Sequence, residues 1–243
     1  MSIRNSLLRT YFARRMKAID RFRRHPDQVQ AEMFRQLIAR GADTEFGRRH
    51  GVAKHLTPEA FAARVGVQDY ESFKPYIERM LAGEKNVAAP GWVTLFARSS
   101  GTTSDRSKFI PVTRESVWWN HTLGMRDVAA VYASAKPQTK IFDGKTLTLG
   151  GSYVRENGAL IGDLSAVLIS QTPFWSGWFR APKMETALIP DFDRKIEGIC
   201  RECTREKITA FAGVPSWNLV LILTVVARTA IVVGRFPQNG IPF

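Results

Sequence analysis

A cluster of hydroxyl side chains surrounds one glycine in the middle of the chain, in the segment RSSGTTSDRSKFIP (98–111). Small residues let the backbone approach a ligand closely, consecutive N–H groups form a concave anion nest, and Ser and Thr hydroxyls add further donors. Lys108 adds a positive charge, with which phosphate oxygens form strong charge-assisted hydrogen bonds. These residue types predict a phosphate-binding loop. The alternative is a polar turn between two strands, which Ser, Thr, Gly and Asp often form.

The spacing excludes a Walker A loop. That motif requires G-x-x-x-x-G-K-[ST], and Arg106 stands where the second glycine would be. Asp105 places an anion beside the predicted anion site, so we expect its carboxylate to point outward or to weaken binding.

The order Ser-Ser-Gly-Thr-Thr, then four residues, then Lys resembles the first nucleotide-phosphate motif of the adenylate-forming enzymes. The long insert and the following Phe-Ile-Pro resemble one branch of them, the auxin-responsive-promoter family of acyl-acid amido synthetases. Further segments resemble signatures of that family in the expected order: TEFGRRHG (44–51), DYESFKPYIERMLAGEKNV (69–87), FDGKTLTLGGS (142–152), GDLSAVL (162–168) and AGVPSWNLVL (212–221). The likeness extends from about residue 30 to residue 221.

The resemblance implies an ATP-dependent ligase that works in two steps. A carboxylate attacks the α-phosphate of ATP to give an acyl-adenylate and pyrophosphate, and an amine, usually of an amino acid, then displaces AMP. It implies ATP and Mg²⁺ as cofactors, and a small carboxylic acid and an amino acid as partners. By motif match the phosphate cradle consists of Ser99, Ser100, Gly101, Thr102, Thr103 and Lys108. No catalytic residue and no metal ligand is assigned.

Three further residues are weaker candidates for the acid substrate. Arg126 lies on the helix after the loop and could meet a carboxylate, although an ordinary surface arginine is the alternative. Pro215 and Ser216 follow a predicted strand, and α/β sheets bind ligands at the carboxyl ends of their strands.

The order of elements predicts the α/β class. Residues 1–90 are expected to form a helical amino-terminal layer, and residues 91–221 a partial adenylate-forming domain with a mostly parallel sheet and flanking helices. The helices are expected over 1–22, over 25–41, after the cap Thr57, over 68–84 with an interruption at Pro75, from Thr113 to about 132, and over 189–207. The strands are expected at WVTLFA (92–97), FIPVT (109–113), KTLTLGGSYV (145–154) and, as a buried strand, at ITAFAGVPS (208–216).

The chain is strongly basic, with a formal net charge of +13. Such a balance fits nucleic acid, an anionic membrane surface or a phosphorylated ligand. The arginine-rich first helix could lie on a membrane or act as a transit peptide, but a packed helix with a solvated basic face is the favoured interpretation. Because no known nucleic-acid-binding module accompanies the charge, we expect neither a nucleic-acid nor a membrane partner.

The alternative function is a non-enzymatic basic α/β protein that binds anionic ligands or nucleic acid.

Cys200 and Cys203 form a lone C-x-x-C pair. This spacing is typical of half a zinc site or of a redox pair, but no second pair of ligands completes a zinc site. A position late in a helix would not lower a thiol pKa. Reduced thiols in a cytoplasmic protein are the expectation.

The pattern changes near residue 222. No acidic residue follows Glu206, the likeness stops after Leu221, and the family's later Tyr-x-x-[ST]-Glu and Gly-Asp segments do not follow. The hypothesis is a frameshift or truncation that leaves an unrelated tail at 222–243. The enzyme would then be a truncated, inactive fragment, incomplete relative to the family's large amino-terminal domain.

A membrane anchor is disfavoured, because the apolar run contains Arg228 and is shorter than the roughly 20 residues that a span needs.

Overall fold

The computed structural model describes residues 2–99 and 107–232, with side chains up to residue 227. Its α-helices are α1 Ile3–Ala13, α2 Met16–Arg24, α3 Pro26–Gly41, α4 Glu45–Arg49, α5 Pro58–Val65, α6 Tyr70–Leu81, α7 Arg114–Ser116, α8 Leu123–Ala135, α9 Leu164–Ser170, α10 Met184–Ala187, α11 Phe192–Cys203 and α12 Pro215–Val232. A π-helical segment, Val117–Thr122, joins α7 to α8. The prediction that the first ninety residues are mostly helical is confirmed.

Local capping signals explain where several helices begin. The Thr57 hydroxyl accepts a hydrogen bond from the backbone N–H of Ala60, and Pro58 is the first residue of α5, as predicted. Thr113 caps α7 in the same way. Helix α3 ends at Gly41, also as predicted.

The predicted interruption at Pro75 is wrong, because α6 runs through this residue. A proline inside a helix removes one backbone hydrogen bond and disturbs the preceding turn. The residues after it, Tyr76, Ile77 and Met80, are buried, and burial of each large apolar side chain contributes about 1.5–3 kcal/mol. We attribute the continuity of α6 to this packing.

The strands form two small sheets. They are β1 Leu95–Arg98, β2 Phe109–Pro111, β3 Lys145–Thr148, β4 Tyr153–Glu156, β5 Ala159–Gly162, β6 Arg180–Ala181 and β7 Ile208–Ala212. The first sheet has the order β2-β1-β5-β4, with β1 and β5 parallel and both outer strands antiparallel to their neighbours. The second has the order β6-β3-β7 and is parallel throughout. The α/β class is confirmed.

Two predicted strands need correction. The segment 145–154 was expected to be one strand, but it gives β3 in the second sheet and β4 in the first, with Gly150 and Gly151 at the break. The segment 208–216, predicted as a buried strand ending in a turn, gives β7 up to Ala212, but the strand is not buried: Phe211 is 53% exposed. Within the described residues β7 is the last strand of its sheet, so no neighbouring strand covers its outer side.

The hydrophobic core crosses from the helices into the first sheet. Tyr76, Ile77 and Met80 of α6 pack with Phe96 of β1 and Ile161 of β5 in one cluster. A separate cluster within the helical region contains Ile38, Ala42, Val52 and Val65. The division near residue 90 stays a prediction.

The amino-terminal segment packs against the domain as two helices, not as the single helix predicted. The basic face is only partly solvated. Arg4 donates to the carbonyl of Gly144 at 3.0 Å, Arg9 donates to the carbonyl of Pro137 at 2.5 Å, and Arg15 makes two hydrogen bonds to Asp127, at 2.6 and 3.0 Å. These arginines therefore attach α1 and the start of α2 to the body of the protein.

Helix α12 continues past residue 222 to Val232. Leu221 is fully buried, and Val225 packs against the same cluster as Leu147 of β3. The other faces of α12 expose Trp217, Leu219 and Leu223. None of the helices in the described part of the chain has the length and apolar character needed to cross a membrane. The interpretation of 222–243 as an unrelated tail stays a hypothesis.

Asn5 tests the attachment of α1. It is fully buried; its Nδ2 donates to the carbonyl of Thr139 at 3.0 Å, and its Oδ1 accepts from the N–H of Phe142 at 3.2 Å. Asn5→Ala leaves both backbone groups without these partners, so we expect the free energy of unfolding to fall by about 2 kcal/mol in urea titrations. Asn120→Ala, at an exposed position, is the matched control and should change it by less than about 0.5 kcal/mol. Equal effects of the two substitutions would contradict this role of Asn5.

Candidate functional site

The predicted phosphate loop joins β1 to β2. These strands pair antiparallel as far as Arg98 and Phe109. Beyond that pair, the N–H of Ser99 donates to the carbonyl of Lys108 at 2.9 Å, and the N–H of Lys108 donates to the Ser99 Oγ at 3.1 Å. The structure thus brings the two ends of the predicted cradle together. Its other predicted members lie outside the described residues: Ser100, Gly101, Thr102 and Thr103, together with Asp105.

The loop leaves the sheet at the carboxyl end of a parallel pair. Strand β1 runs parallel to β5 in a register that places Ala97 beside Gly162. Asp163 follows β5 directly and precedes α9, just as Ser99 follows β1. Ligands of α/β sheets bind outside the carboxyl ends of strands. Ser99, the start of the loop, therefore lies at the edge of the sheet where such a fold binds a ligand.

Tyr70, the first residue of α6, supports the base of the loop. Its hydroxyl accepts a hydrogen bond from the N–H of Phe109 at 2.9 Å, and the Lys108 Nζ lies 5.1 Å from the centroid of its ring. A cation above an aromatic face is attracted by the negative potential of the ring. Lys108 is itself exposed, so the ring supports its side chain at the surface.

An ionised carboxylate lies near this lysine. The pKa of Asp69 is lowered chiefly by the hydrogen bond from the Ser72 hydroxyl, then by the Ser72 backbone N–H, and the charge of Lys108 adds to the effect. Asp69 also caps α6. The carboxylate that caps this helix therefore belongs to the electrostatic surroundings of the loop.

A cleft of about 680 Å³ opens between α6 and the β1–β2 hairpin. Its lining includes the cationic side chains of Lys74, Arg98 and Lys108, the carboxylates of Glu71 and Glu78, and Tyr70. Lys74 lies 3.8 Å from Glu71 and 3.9 Å from Glu78, so its charge is paired within the cleft. Sequence reasoning did not assign Tyr70, Lys74 or Arg98 to the site. The segment 69–87 carried a family signature, but only the packing of α6 beside β2 places it at the loop.

Comparisons with known proteins identify the family of this chain. The family model described as "GH3 family N-terminal domain" matches residues 15–210. The chain belongs to the GH3 family. The family resemblance inferred from the motifs is thereby confirmed.

Curated GH3 proteins match part of the chain. A probable indole-3-acetic acid-amido synthetase, GH3.2 of Oryza sativa subsp. japonica, is 34% identical over 106 residues, which is 43% of this chain and 17% of that protein. The indole-3-acetic acid-amido synthetase GH3.3 of Arabidopsis thaliana is 29% identical over 103 residues, which is 42% of this chain and 17% of that protein. These alignments span under a fifth of the relatives' length.

Solved GH3 structures share the fold. The GH3.15 acyl acid amido synthetase superposes with a TM-score of 0.73 at 17% identity, covering 93% of this chain and 42% of that chain. A second structure, AtGH3.15 in complex with 2,4-DB, gives a TM-score of 0.64 at 20% identity, covering 83% of this chain and 36% of that one. The present chain spans less than half of the solved GH3 chains.

Arg126 lies apart from the hairpin, on α8. Its guanidinium carbon is 5.1 Å from the ring centroid of Tyr11 in α1 and 6.0 Å from that of Trp118. Its Nε is buried and has no hydrogen-bond partner among the described residues. Arg126 is thus a half-buried cation held between aromatic rings, unlike an ordinary surface arginine.

Pro215 and Ser216 begin α12, after the carboxyl end of β7. Strand β7 is parallel to β3, so both residues follow the carboxyl end of a parallel strand. Both residues are exposed. They belong to the second sheet, whereas the phosphate loop belongs to the first.

The two cysteines lie in the last turn of α11, as predicted, and neither forms a disulfide. Burial raises the pKa of Cys203 to about 11, and the nearby carboxylates of Glu202 and Glu206 add to the effect. No group of three or more His, Cys, Asp or Glu side chains in the described residues could hold a metal ion. The raised pKa opposes the thiolate form that redox chemistry requires.

This environment makes the reactivity of Cys203 pH-dependent. In Cys200→Ser, which leaves Cys203 alone, we expect Ellman's reagent at pH 8 to react on the order of 100-fold more slowly with the folded than with the urea-unfolded protein, because the folded thiol is almost fully protonated. The rate for the folded protein should rise as the pH approaches 11. Equal rates for the folded and unfolded protein would show that the thiol is neither buried nor shifted.

Proposed function

We propose that this chain is the phosphate-binding portion of an ATP-dependent acyl-acid amido synthetase. Membership of the GH3 family carries this proposal, and the position of the Ser99–Lys108 hairpin loop at the carboxyl end of a parallel strand supports it. In the reaction, a carboxylate oxygen bonds to the α-phosphorus of ATP as pyrophosphate leaves, and an amine then forms the amide as AMP leaves. The names of the curated relatives state indole-3-acetic acid-amido synthetases, which supports a carboxylic acid as one substrate, and we propose an amino acid as the amine.

The loop would hold the phosphates of ATP. The Ser99–Lys108 hydrogen bonds hold the two ends of the loop together, so the residues between them begin and end at a fixed base. We propose that Ser99, Ser100, Gly101, Thr102 and Thr103 supply N–H and hydroxyl donors, and that Lys108 supplies positive charge from the rim. Donors held in place before the reaction stabilise the charge that develops on phosphoryl oxygens.

Lys108 suits this role because its ring contact leaves its charge at the surface. Arg98 lines the same cleft and would add to the positive potential, whereas Lys74 is paired with Glu71 and Glu78 of the same lining. The carboxylate of Asp69 lies near Lys108 and reduces this potential.

Arg126 is our candidate for the acid's carboxylate. Its guanidinium is confined by two aromatic rings, and its buried Nε has an unused donor as far as the described residues go. A planar guanidinium binds a carboxylate through paired hydrogen bonds. Pro215 and Ser216 stay weaker candidates for the same substrate.

Magnesium would enter with the nucleotide. A divalent ion neutralises charge on the phosphate oxygens. The described residues offer no cluster of ligands of their own, so we propose that Mg²⁺ is bound mainly by the phosphates.

The printed sequence does not contain the Tyr-x-x-[ST]-Glu segment, nor a Gly-Asp segment after Leu221. We therefore expect this chain alone to bind ATP through its phosphates but to give no acid-dependent ATP–pyrophosphate exchange. Reaction requires all groups to be held in one geometry, and part of the nucleotide site would be missing.

The alternative is a non-enzymatic basic protein that binds anionic ligands or nucleic acid, which the net charge of +13 favours. Three of its amino-terminal arginines already bind groups within the protein. Binding of a nucleic-acid duplex that weakens steeply with salt, without ATP binding, would support this alternative.

Lys108 provides the direct test of the main proposal. In isothermal titration calorimetry with ATP and Mg²⁺, we expect Lys108→Met to raise the Kd for ATP about tenfold, because a charge-assisted hydrogen bond is lost. Lys54→Met is the matched control: it removes the same charge from an exposed lysine that pairs with Asp43. It should leave the Kd within about twofold. Absence of ATP binding by the unchanged chain, or equal losses in both variants, would overturn the proposal.

A further inference from the structure

The two sheets are joined by a connection of four residues, Leu149–Ser152, which we call the seam. It leads from the end of β3 in the second sheet to the start of β4 in the first. A connection this short has little freedom, and its backbone groups, of which those of Gly150 are buried, need hydrogen-bond partners. The seam therefore fixes how the two sheets meet.

Partners for these groups come from other elements. The N–H of Leu149 donates to the carbonyl of Ala212, at the end of β7, at 3.1 Å. On the side of the first sheet, the N–H of Gly151 donates to the Ser165 Oγ and the N–H of Ser152 donates to Asp163 Oδ2, each at 3.0 Å. The seam thus folds around the start of α9.

Lys195 of α11 binds the two carbonyls at the centre of the seam. Its Nζ donates to the carbonyl oxygen of Gly150 at 2.5 Å and to that of Gly151 at 3.1 Å. The residue is only 4% exposed, and it is the one charged residue that is buried in the described part of the chain. Burial lowers the pKa of its ammonium, and the nearby carboxylate of Asp163 offsets part of that effect.

A buried ammonium is costly, and its neighbours on α11 show that this side of the helix faces a hydrophobic core. Ile196 and Ile199 are 2% and 0% exposed. An apolar side chain at 195 would fill similar space without the desolvation cost of a charge. What an apolar residue cannot supply is a pair of hydrogen bonds to the two seam carbonyls.

The seam cannot relax easily if these bonds are lost. A Cβ on Gly151 would lie 2.0 Å from Asp163 Oδ2, so the backbone approaches this carboxylate too closely for any residue but glycine. Asp163 is also bonded through its own N–H to the carbonyl of Ser152 at 3.0 Å. A shift at Gly151 must therefore move Asp163 or break these contacts.

Asp163 connects the seam to the nucleotide loop. It follows Gly162, which pairs with Ala97 of β1, and Ser99 begins the loop two residues beyond Ala97. The carboxyl ends of β5 and β1 thus lie side by side, one ending at the seam and the other at the loop.

From these contacts we propose that Lys195 is a positioning residue for the nucleotide site: by holding the Gly150 and Gly151 carbonyls it fixes the seam, and through Asp163 and β5 it fixes the base of the loop at Ser99. The proposal rests on the nucleotide-binding function proposed above. It assigns Lys195 no contact with ATP.

Lys195→Met is the test, and Arg194→Met is the matched control. Both substitutions remove one positive charge from α11, so any general effect of charge on ATP binding is the same in the two variants. They differ in burial, because Arg194 is exposed. Lys195→Arg keeps donors for the carbonyls. Each protein is first checked for folding by urea titration, and the Kd for ATP with Mg²⁺ and the amide ¹H–¹⁵N shifts of Ser99, Gly151 and Ser152 are then measured.

We expect folded Lys195→Met to bind ATP about fivefold more weakly, which is typical of coupling through packed elements, and to move the Gly151, Ser152 and Ser99 amide signals. Arg194→Met should match the unchanged protein in both measurements, and Lys195→Arg should recover part of the affinity. An unchanged Kd and an unmoved Ser99 signal in folded Lys195→Met would overturn the proposal.

If Lys195→Met does not fold, the ATP affinity and the Ser99 amide signal of Ser165→Ala test the proposal instead. It removes the acceptor of the Gly151 N–H from the opposite side of the seam and leaves the buried lysine in place. A weaker ATP affinity and a moved Ser99 signal would support the proposal, whereas wild-type values for both would overturn it.

The two proposals can fail separately. Absence of ATP binding by the unchanged chain would overturn the proposed function, and the coupling from Lys195 to the loop would then be decided by the Ser99 signal alone. ATP binding that is lost in Lys108→Met but unaffected in folded Lys195→Met would support the function and overturn the positioning role.

Discussion

The relative position of the two sheets depends on hydrogen bonds to the backbone that joins them. Strand β3 passes into β4 through four residues, and these residues have no strand partner that could satisfy all of their N–H and carbonyl groups. The partners come from three other elements: the ammonium of Lys195 on α11, the side chains of Asp163 and Ser165 at the start of α9, and the end of β7. The carbonyl of Gly150 is buried, and an unpaired buried backbone group costs about 1–3 kcal/mol, so Lys195 and the position of this connection depend on one another.

The helical region and the first sheet are connected at the base of the loop by apolar packing and by a hydrogen bond to the backbone. Helix α6 buries its apolar residues against β1 and β5, and its first residue, Tyr70, binds the backbone of β2 and faces Lys108. The base of the predicted phosphate loop therefore rests on a helix that precedes it in the chain. The described ends of the loop, Ser99 and Lys108, are thus fixed by contacts with each other and with α6.

Basic residues serve two purposes in this protein. Arg4, Arg9 and Arg15 donate to carbonyls or a carboxylate and fasten α1 and the start of α2 to the domain, so part of the positive charge is structural. Arg98 and Lys108 line the cleft beside the loop, where Lys74 is paired with Glu71 and Glu78. A net charge of +13 alone did not distinguish these purposes, because composition does not say which charges meet a partner within the fold.

Local patterns in the sequence determined much of what is confirmed here. Caps such as Thr57 and Thr113 act within three residues, the strands on either side of the loop are short segments rich in β-branched and aromatic residues, and the order of motifs identified the family. The tertiary structure alone decided the features that depend on distant contacts: the continuity of α6 through Pro75, the division of 145–154 between two sheets, the aromatic rings around Arg126, and the burial of Lys195 against Gly150 and Gly151. Lys195 and Gly150 are 45 residues apart in the chain, and nothing in the residues next to either one indicates that they meet. Periodicity and capping report interactions between near neighbours, whereas the free energy of a buried amine on two carbonyls arises only after the sheets and α11 have packed.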